Sequence, residues 1–150
     1  MPDSQVVVFD TNVLIPLVLP ASLSTRLLDR LRAAGWHVAA SPQILAEVRD
    51  KMLSKPSLRK WLELSDAEIA NFLDQDLPGK TRAIPGTRNA HGAVPADPKD
   101  DKIIAAALES KAAYIVSEDR HLLDLGDYQG IKIMNREQFW AELDRLGVPG

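Results

Sequence analysis

The sequence predicts an α/β fold, a three-layer α/β/α sandwich with a mainly parallel central sheet. Short β-branched runs such as residues 6–9 and 131–134 alternate along the chain with segments of helical periodicity. Asp10 and Asp119 each follow such a run, as expected where parallel strands end at one edge of a sheet. A chain of 150 residues that is 45% hydrophobic can bury a full core, so residues 1–150 are predicted to form a single domain.

The first forty residues predict two strands and the helices that connect them. The predicted elements are a strand over residues 6–9, a short helix or turn over 12–19, a helix ending at 34 and a strand over 36–40. Pro20 ends the short helix, and either Ser22 or Ser24 caps the next one. Gly35 is a typical helix stop signal.

The middle of the chain is predicted to be helical and then irregular. The predicted elements are a helix from residue 42 that Pro56 breaks, a helical pair over 58–64 and 66–77, and a loop over 78–96 with a short edge strand at 81–84. Ser41 and Pro42 supply an N-cap and a first helical residue. Ser65 or Asp66 caps the second helix of the pair.

The last third of the chain predicts two further strands between three helices. These elements are a helix from Asp97 to Ser110, a strand over 113–117, a helix over 119–125, a strand over 131–134 and a helix that Asn135 caps, ending at 146. Strands that alternate with helices in this way favour parallel pairing.

Composition excludes several classes of protein. The chain has no cysteine, so it forms neither a disulfide framework nor a zinc–thiolate site. It has no glycine-rich phosphate loop, no dinucleotide fingerprint and no nucleophile elbow around its serines. No apolar run is long enough to span a membrane, and the Met-Pro-Asp-Ser start lacks the basic and apolar segments of a signal peptide. A cytoplasmic protein without membrane association is expected.

Asp10 and Asp119 are candidate metal ligands because of where they stand. Each is also explained as the cap of the helix that follows it. An aspartate at the end of a buried strand is costly to desolvate, however, unless a cation or hydrogen-bond donors satisfy it. Neighbouring parallel strands place their carboxyl ends on one side of a sheet, so the two carboxylates are expected to lie together.

The remaining acidic candidates lie on predicted helices. Glu47 is on the flank of a buried helical face. Considered without the other acids, Glu47 is explained more simply as the partner of Lys51 in an exposed ion pair. Asp97 fits an N-cap before Pro98, and Asp100 fits the third helical position, where a carboxylate favours the helix dipole. Asp101 lies along the apolar face of the same helix, so it is the preferred ligand of the three.

Four motifs together resemble a PIN-domain ribonuclease of the group found as toxins in bacterial toxin–antitoxin pairs (VapC-like). The motifs are Val-Val-Val-Phe-Asp10-Thr11-Asn12, Ser41-Pro-Gln-Ile-Leu-Ala-Glu47, Asp97-Pro-Lys-Asp100-Asp101-Lys-Ile-Ile and Tyr-Ile-Val-Ser117-Glu-Asp119. They occur in the order typical of that family and cover residues 6 to about 143. The resemblance implies the same three-layer fold.

The resemblance also implies a site and an activity. Asp10, Glu47, Asp101 and Asp119 would hold one or two Mg²⁺ or Mn²⁺ ions and hydrolyse RNA, leaving a 5′-phosphate and a 3′-hydroxyl. The supporting residues would be Thr11, Asn12, Ser117, Asp97 and Asp100, with Asp97 and Asp100 remaining alternatives to Asp101 as the direct ligand. A toxin of this group implies a cognate antitoxin protein and a homodimer.

Two other functions remain compatible with the sequence. A haloacid-dehalogenase-like phosphatase also places an aspartate after its first strand, but it needs a second acid two residues later, where this chain has Asn12. A lysine beside the site is not evident either. The other alternative is a catalytically silent module that binds RNA or a protein with the same fold.

Overall fold

The computed structural model of the protein describes residues 5–150. Residues 1–4, on which the prediction of no signal peptide depends, lie outside the described residues. The strands are β1 (Val6–Phe9), β2 (His37–Ala40), β3 (Arg82–Ala83), β4 (Tyr114–Val116), β5 (Asp127–Tyr128) and β6 (Ile131–Met134). They form one sheet in the order β3-β2-β1-β4-β6-β5. All neighbours pair in parallel except β5, which runs antiparallel to β6.

Helices flank the sheet, which confirms the predicted α/β/α arrangement. They are α1 (Thr11–Leu14), α2 (Leu23–Ala33), α3 (Pro42–Ser54), α4 (Pro56–Leu62), α5 (Asp66–Asn71), α6 (Leu77–Lys80), α7 (Asp101–Ser110), α8 (Arg120–Leu125) and α9 (Arg136–Arg145). Helix α7 packs on β1, β2 and β4 and against α3, while α2 packs on β2 and against α9.

The centre of the sheet explains why its first strand has the sequence it has. Val7, Val8 and Phe9 are fully buried in β1, between β2 and β4. A strand that is covered on both faces reads as a continuous apolar run rather than an alternating one. Its burial fixes where the first polar residue, Asp10, must emerge.

Side-chain caps begin the helices near the predicted positions. Of the two serines considered for α2, Ser22 is the cap, and its oxygen accepts a hydrogen bond from the Thr25 amide at 3.1 Å. Ser41 caps α3 in the same way. Asn135 and Gln138 form a reciprocal capping box at the start of α9. These caps are local, which is why the sequence predicts them well.

The prediction for residues 66–96 is wrong in one respect. The helix does not end at residue 77: after α5 it continues through a π-helical turn, Phe72–Asp76, into α6, which ends at Lys80. The amide of Leu77 bonds to the carbonyl of Phe72 across this wider turn. Pro78 has no N–H to donate, and it follows at the first turn of α6, where a helix tolerates proline. The short edge strand predicted at 81–84 is present as β3.

Strand β5 is not predicted by the sequence. It is only two residues long, and it joins β6 through Gln129 and Gly130, which have φ angles of 50° and 87°. Such positive φ angles at both central residues suit a tight hairpin. The pairing of Tyr128 with Ile131 exists only in the context of β6, so no local pattern of Asp127 and Tyr128 indicates it.

No single helix among residues 5–150 is long and apolar enough to cross a membrane. The segments Thr11–Val18 and Leu23–Ala33 meet the length and composition requirement only together, and they are bent by 93° relative to each other.

Candidate metal centre

Asp10 stands at the carboxyl edge of the sheet, held by three donors. Phe9 pairs with Val116 in the register of β1 and β4, so the next residues, Asp10 and Ser117, emerge side by side. The Ser117 hydroxyl donates to Asp10 Oδ2 at 2.6 Å, and the Thr11 amide donates to Oδ1 at 2.7 Å. The Thr11 hydroxyl lies 3.5 Å from the same Oδ1. Burial still raises the pKa of Asp10 above its usual value, despite these hydrogen bonds.

Asp119 reaches the same edge from the end of β4. It is the N-cap of α8, and its Oδ1 accepts the His121 amide at 2.7 Å. The Asp119 amide donates to the Ser117 hydroxyl at 2.9 Å, so Ser117 joins Asp119 to Asp10. The structure therefore brings together the two aspartates that follow strands.

Asp100 is the third member of this cluster. Asp10, Asp100 and Asp119 each offer a carboxylate oxygen, and the three oxygens lie within 4.8 Å of one another. Asp100 is 7% exposed, and its Oδ2 is the one buried side-chain nitrogen or oxygen in the described chain without a hydrogen-bond partner. Burial and the neighbouring charges of Asp10 and Asp119 raise the pKa of Asp100 to about 7. Such an arrangement is expected where a cation supplies the missing partner.

Asp101, the preferred ligand on the sequence, does not point into this cluster. Its Oδ2 accepts the Gly92 amide at 2.9 Å, and its Oδ1 accepts the Val94 amide at 2.8 Å. Both oxygens thus fasten the loop that precedes Asp97. The reason is the local backbone: a 3-10 turn, Pro98–Asp100, precedes α7. Its tighter winding changes which aspartate faces inward, because the 3.6-residue period of α7 does not extend back through it.

Asp97 lies beside the cluster rather than in it. Its Oδ1 accepts the Lys99 amide at 3.2 Å, which makes it the predicted N-cap of the turn. Ligand atoms of Asp97, Asp119 and His121 also lie within 4.8 Å of one another. The sequence offered no reason to group His121 with these acids, because the contact depends on how α8 follows β4.

Glu47 faces the same cleft from α3 but lies outside the cluster of aspartates. Lys102 Nζ lies 2.5 Å from its Oε1, and Lys51 Nζ lies 3.2 Å from its Oε2. Burial by itself would raise the pKa of Glu47, but hydrogen bonds from Lys102 and Thr11 and the charge of Lys51 hold it below its usual value. The ion pair with Lys51 at i+4, expected from the sequence, is present.

Thr11 and Asn12 connect this edge to its surroundings. The Lys51 ammonium donates to the Thr11 hydroxyl at 2.9 Å, so a lysine does stand beside Asp10, contrary to expectation. The Asn12 side-chain oxygen Oδ1 accepts the Glu118 amide at 3.3 Å, which ties α1 to the segment after β4.

These side chains surround a cleft of about 470 Å³. Its lining consists of Asp10, Thr11, Asn12, Glu47, Asp50, Lys51, Lys55, Asp97, Lys99, Asp100 and Asp119. The donor set at its base is made of carboxylate oxygens, the ligands that Mg²⁺ and Mn²⁺ prefer. Lys51, Lys55 and Lys99 add positive charge to its walls.

Comparison with known proteins agrees with this architecture. The model of the PIN domain family matches residues 6–121, so the chain belongs to the PIN domain family, whose members are generally metal-dependent nucleases. The crystal structure of PAE2754 from Pyrobaculum aerophilum is similar, with a TM-score of 0.58 and 14% sequence identity over 93% of this chain and 89% of that one. At that identity the similarity shows the fold alone. No curated protein matches the chain.

Proposed function

We propose that this PIN domain protein is a Mg²⁺- or Mn²⁺-dependent endoribonuclease whose metal ligands are Asp10, Asp100 and Asp119. One observation carries the proposal: Asp100 Oδ2 is buried without a hydrogen-bond partner, between two other carboxylates. An unpartnered buried carboxylate is destabilising by several kcal/mol unless something positive completes it. A divalent cation fits this donor set of three oxygens.

The chain's own residues orient the proposed ligands. Ser117 and the Thr11 amide each occupy one oxygen of Asp10 through a single hydrogen bond, which fixes the carboxylate plane and leaves further lone pairs for a cation. The Asp119 amide is fixed by the same serine. Such supporting hydrogen bonds determine how precisely a site binds its metal.

The reaction is hydrolysis of a phosphodiester bond. A water oxygen forms a bond to phosphorus and loses a proton, the bond from phosphorus to the 3′-oxygen breaks, and the 3′-oxygen takes up a proton. When bound, a divalent cation lowers the pKa of water and neutralises charge on the phosphate. The products are a 5′-phosphate and a 3′-hydroxyl, because no 2′-hydroxyl takes part as nucleophile.

The biological role we propose is that of the toxin in a toxin–antitoxin pair acting in the cytoplasm. The four motifs of the sequence support this, since they resemble that group throughout. The antitoxin would place a basic side chain among the carboxylates and an amphipathic segment in a groove. A homodimer is part of the same proposal.

An RNA cleavage assay tests the activity. Wild-type protein should cut RNA with Mg²⁺ or Mn²⁺ and stop on addition of EDTA, and Asp10→Asn should be inactive. Asp29→Asn changes an exposed aspartate on α2 and serves as the matched control. Circular dichroism checks that each variant is folded. Equal cleavage by Asp10→Asn, or 2′,3′-cyclic phosphate ends, would contradict the proposal.

The toxin role needs a separate experiment. Wild-type and Asp10→Asn proteins are expressed in bacteria, growth is followed, and cellular RNA ends are sequenced. We expect the wild-type protein, but not Asp10→Asn, to arrest growth and to produce a defined set of new 5′-phosphate ends in cellular RNA. Normal growth with active protein would leave the nuclease without the toxin role.

The two other functions are distinguished by simple measurements. A dehalogenase-like phosphatase would hydrolyse a small aryl phosphate, which this nuclease should leave intact. Lys51 stands beside Asp10 as that chemistry needs, but position 12 is Asn and the family match favours a nuclease. A silent binding module would bind RNA without producing new ends.

A further inference from the structure

Glu47 is already neutralised by two cations of its own chain. Each of its carboxylate oxygens faces an ammonium group, Lys102 at 2.5 Å and Lys51 at 3.2 Å. Its side chain is 22% exposed, so solvent screens these ion pairs only in part. Glu47 also contributes no oxygen to the cluster of aspartates. It therefore differs from Asp100, whose Oδ2 is buried without a hydrogen-bond partner.

Lys51 and Lys102 approach Glu47 from different sides. Lys51 lines the cleft that contains Asp10. Lys102 lines a separate, smaller cavity of about 50 Å³ with Ser41 and Glu109, and its ammonium also donates to the Lys99 carbonyl at 2.6 Å. Lys102 thus holds Glu47 from outside the cleft, and of the two lysines that contact Glu47 it is Lys51 that lines the cleft.

Lys51 stands between Glu47 and the edge that carries Asp10. Its ammonium donates to the Thr11 hydroxyl, and Thr11 in turn contacts Asp10. In a two-metal nuclease the ions lie about 3.5–4 Å apart and carboxylates face both of them. Here a positive side chain, Lys51, contacts both Glu47 and the Thr11 hydroxyl beside Asp10.

We propose that the cleft binds one divalent cation and that Lys51 supplies the second positive charge, binding the substrate phosphate directly while Glu47 positions it. The proposal rests on the nuclease function proposed above and changes the role of Glu47 from metal ligand to positioning residue. An ammonium has three N–H donors. In Lys51, two of these donors face Thr11 and Glu47. Among the described residues the third has no partner, so it is available to a phosphate oxygen.

Metal binding by itself gives the first test. Mn²⁺ is titrated into the protein without RNA, and free Mn²⁺ is measured by electron paramagnetic resonance. Wild-type protein should bind one ion, and Glu47→Gln should bind one ion with an affinity changed by less than about threefold. Asp100→Asn should lower the affinity for Mn²⁺ about 100-fold or more, since removing even a residue that only hydrogen-bonds to a metal ligand costs about 10–100-fold.

RNA binding gives the second test, with Ca²⁺ in place of Mg²⁺ to prevent cleavage. Lys51→Met should reduce the slope of log affinity against log salt by about 0.7, the value for one phosphate contact on a single strand. Lys60→Met makes the same change on α4, outside the lining of the cleft, and is the matched control. Its slope should stay within error of the wild type.

Kinetics then separate a positioning role from a purely structural one. Lys51→Met should lower kcat about 100-fold, the usual effect of removing one preorganised donor. Lys51→Arg keeps the charge and should recover part of that loss. The double variant of Glu47→Gln with Lys51→Met should be no slower than Lys51→Met alone, because residues that act as a unit are not additive.

The possible outcomes keep the two proposals apart. Two Mn²⁺ ions in the wild type, the second lost in Glu47→Gln, would overturn the role of Lys51 and leave the nuclease intact. An unchanged salt slope in folded Lys51→Met would overturn it as well. Absence of both Mn²⁺ binding and RNA cleavage in the wild type would instead remove the proposed function. If Lys51→Met does not fold, the Mn²⁺ stoichiometry of wild type and Glu47→Gln still decides.

Discussion

Asp100 and Glu142 are buried to the same extent, 7% exposed, yet their environments are opposite. Glu142, on α9, accepts hydrogen bonds from Arg145 at 2.6 and 2.9 Å and from the Tyr114 hydroxyl at 2.6 Å. Hydrogen bonds from Arg145 lower the pKa of Glu142 to about 2. Burial raises the pKa of Asp100 to about 7, with further contributions from Asp10 and Asp119.

The two carboxylates lie at opposite ends of the same strand. Tyr114, which binds Glu142, begins β4, and Ser117 and Asp119 follow its carboxyl end. One end of β4 is therefore completed by partners from its own chain. The other end carries the clustered carboxylates of Asp10, Asp100 and Asp119, and Oδ2 of Asp100 there has no hydrogen-bond partner. Burial of charge without compensation is found where a protein sacrifices stability for function.

Separate replacement of Asp100 and of Asp101 by asparagine should reveal the largest effect on function. Asp100→Asn should reduce the rate of RNA cleavage by more than about 100-fold, because it removes a proposed ligand rather than an outer partner. Asp101→Asn makes the same change at the next residue and should keep the rate within about tenfold. Cleavage of a labelled RNA at saturating Mg²⁺ measures both. A larger loss in Asp101→Asn would restore the ligand set expected from the sequence.

At the opposite end of β4, Glu142→Gln should be the most destabilising change to the fold. It removes the charge that Arg145 and Lys132 face and weakens the bond to Tyr114. We expect the free energy of unfolding in urea at pH 7 to fall by about 2–3 kcal/mol. Glu137→Gln, on the exposed side of α9, is the control and should change it by less than about 0.5 kcal/mol. Equal effects of the two would mean that the network of Glu142 is energetically unimportant.

Without metal, Asp100→Asn should stabilise the protein at pH 8 by about 1–2 kcal/mol, since it removes a buried charge surrounded by like charges. The folded-state pKa of about 7 lies above the ordinary value of 3.8, so the folded state favours the protonated form. The contribution of Asp100 to the stability of the wild-type protein is therefore fully present below pH 3.8 and is lost as the pH rises through about 7. The advantage of the variant should vanish near pH 4, as thermal unfolding in EDTA can show. Saturating Mg²⁺ should reverse the order of the two proteins.

The pH dependence contributed by Glu142 should have the opposite sign. Its folded-state pKa of about 2 lies below the ordinary value of 4.5. The stability it contributes is present above pH 4.5 and lost as pH falls through about 2. We expect about 1–2 kcal/mol of the difference between wild type and Glu142→Gln to disappear between pH 6 and pH 2.5. A difference that grows in acid would contradict this.

The smallest effect is expected from the loop that Asp101 fastens. Asp101→Asn keeps one acceptor oxygen and should lower the free energy of unfolding by about 1 kcal/mol. Amide hydrogen exchange should become faster at Gly92 and Val94, which donate to Asp101. The Asp10 neighbourhood should be unaffected. No change in exchange at either amide would show that the loop is held by other contacts.

The strand ends show how much of the site can be predicted from sequence. An apolar run that stops at Asp10, and a second run before Asp119, indicate the edge of the sheet because burial of β1 and β4 dictates where the polar residues emerge. The caps Ser22, Ser41 and Asn135 are equally predictable, since each bonds to a backbone amide three residues away. In both cases the physical cause lies within a few residues of the pattern.

Only the tertiary structure decided which aspartate of Asp100 and Asp101 joins the other two. The choice depends on a 3-10 turn before α7 and on the amides of Gly92 and Val94 in the loop that precedes it, neither of which is visible in a local pattern. The pairing of Glu47 with Lys102 depends in the same way on the packing of α3 against α7. Local hydrophobic periodicity thus determined the layers and the acidic edge by itself. The identity of the proposed ligands required contacts between segments far apart in the chain, because a carboxylate's partners are set by its neighbours in space.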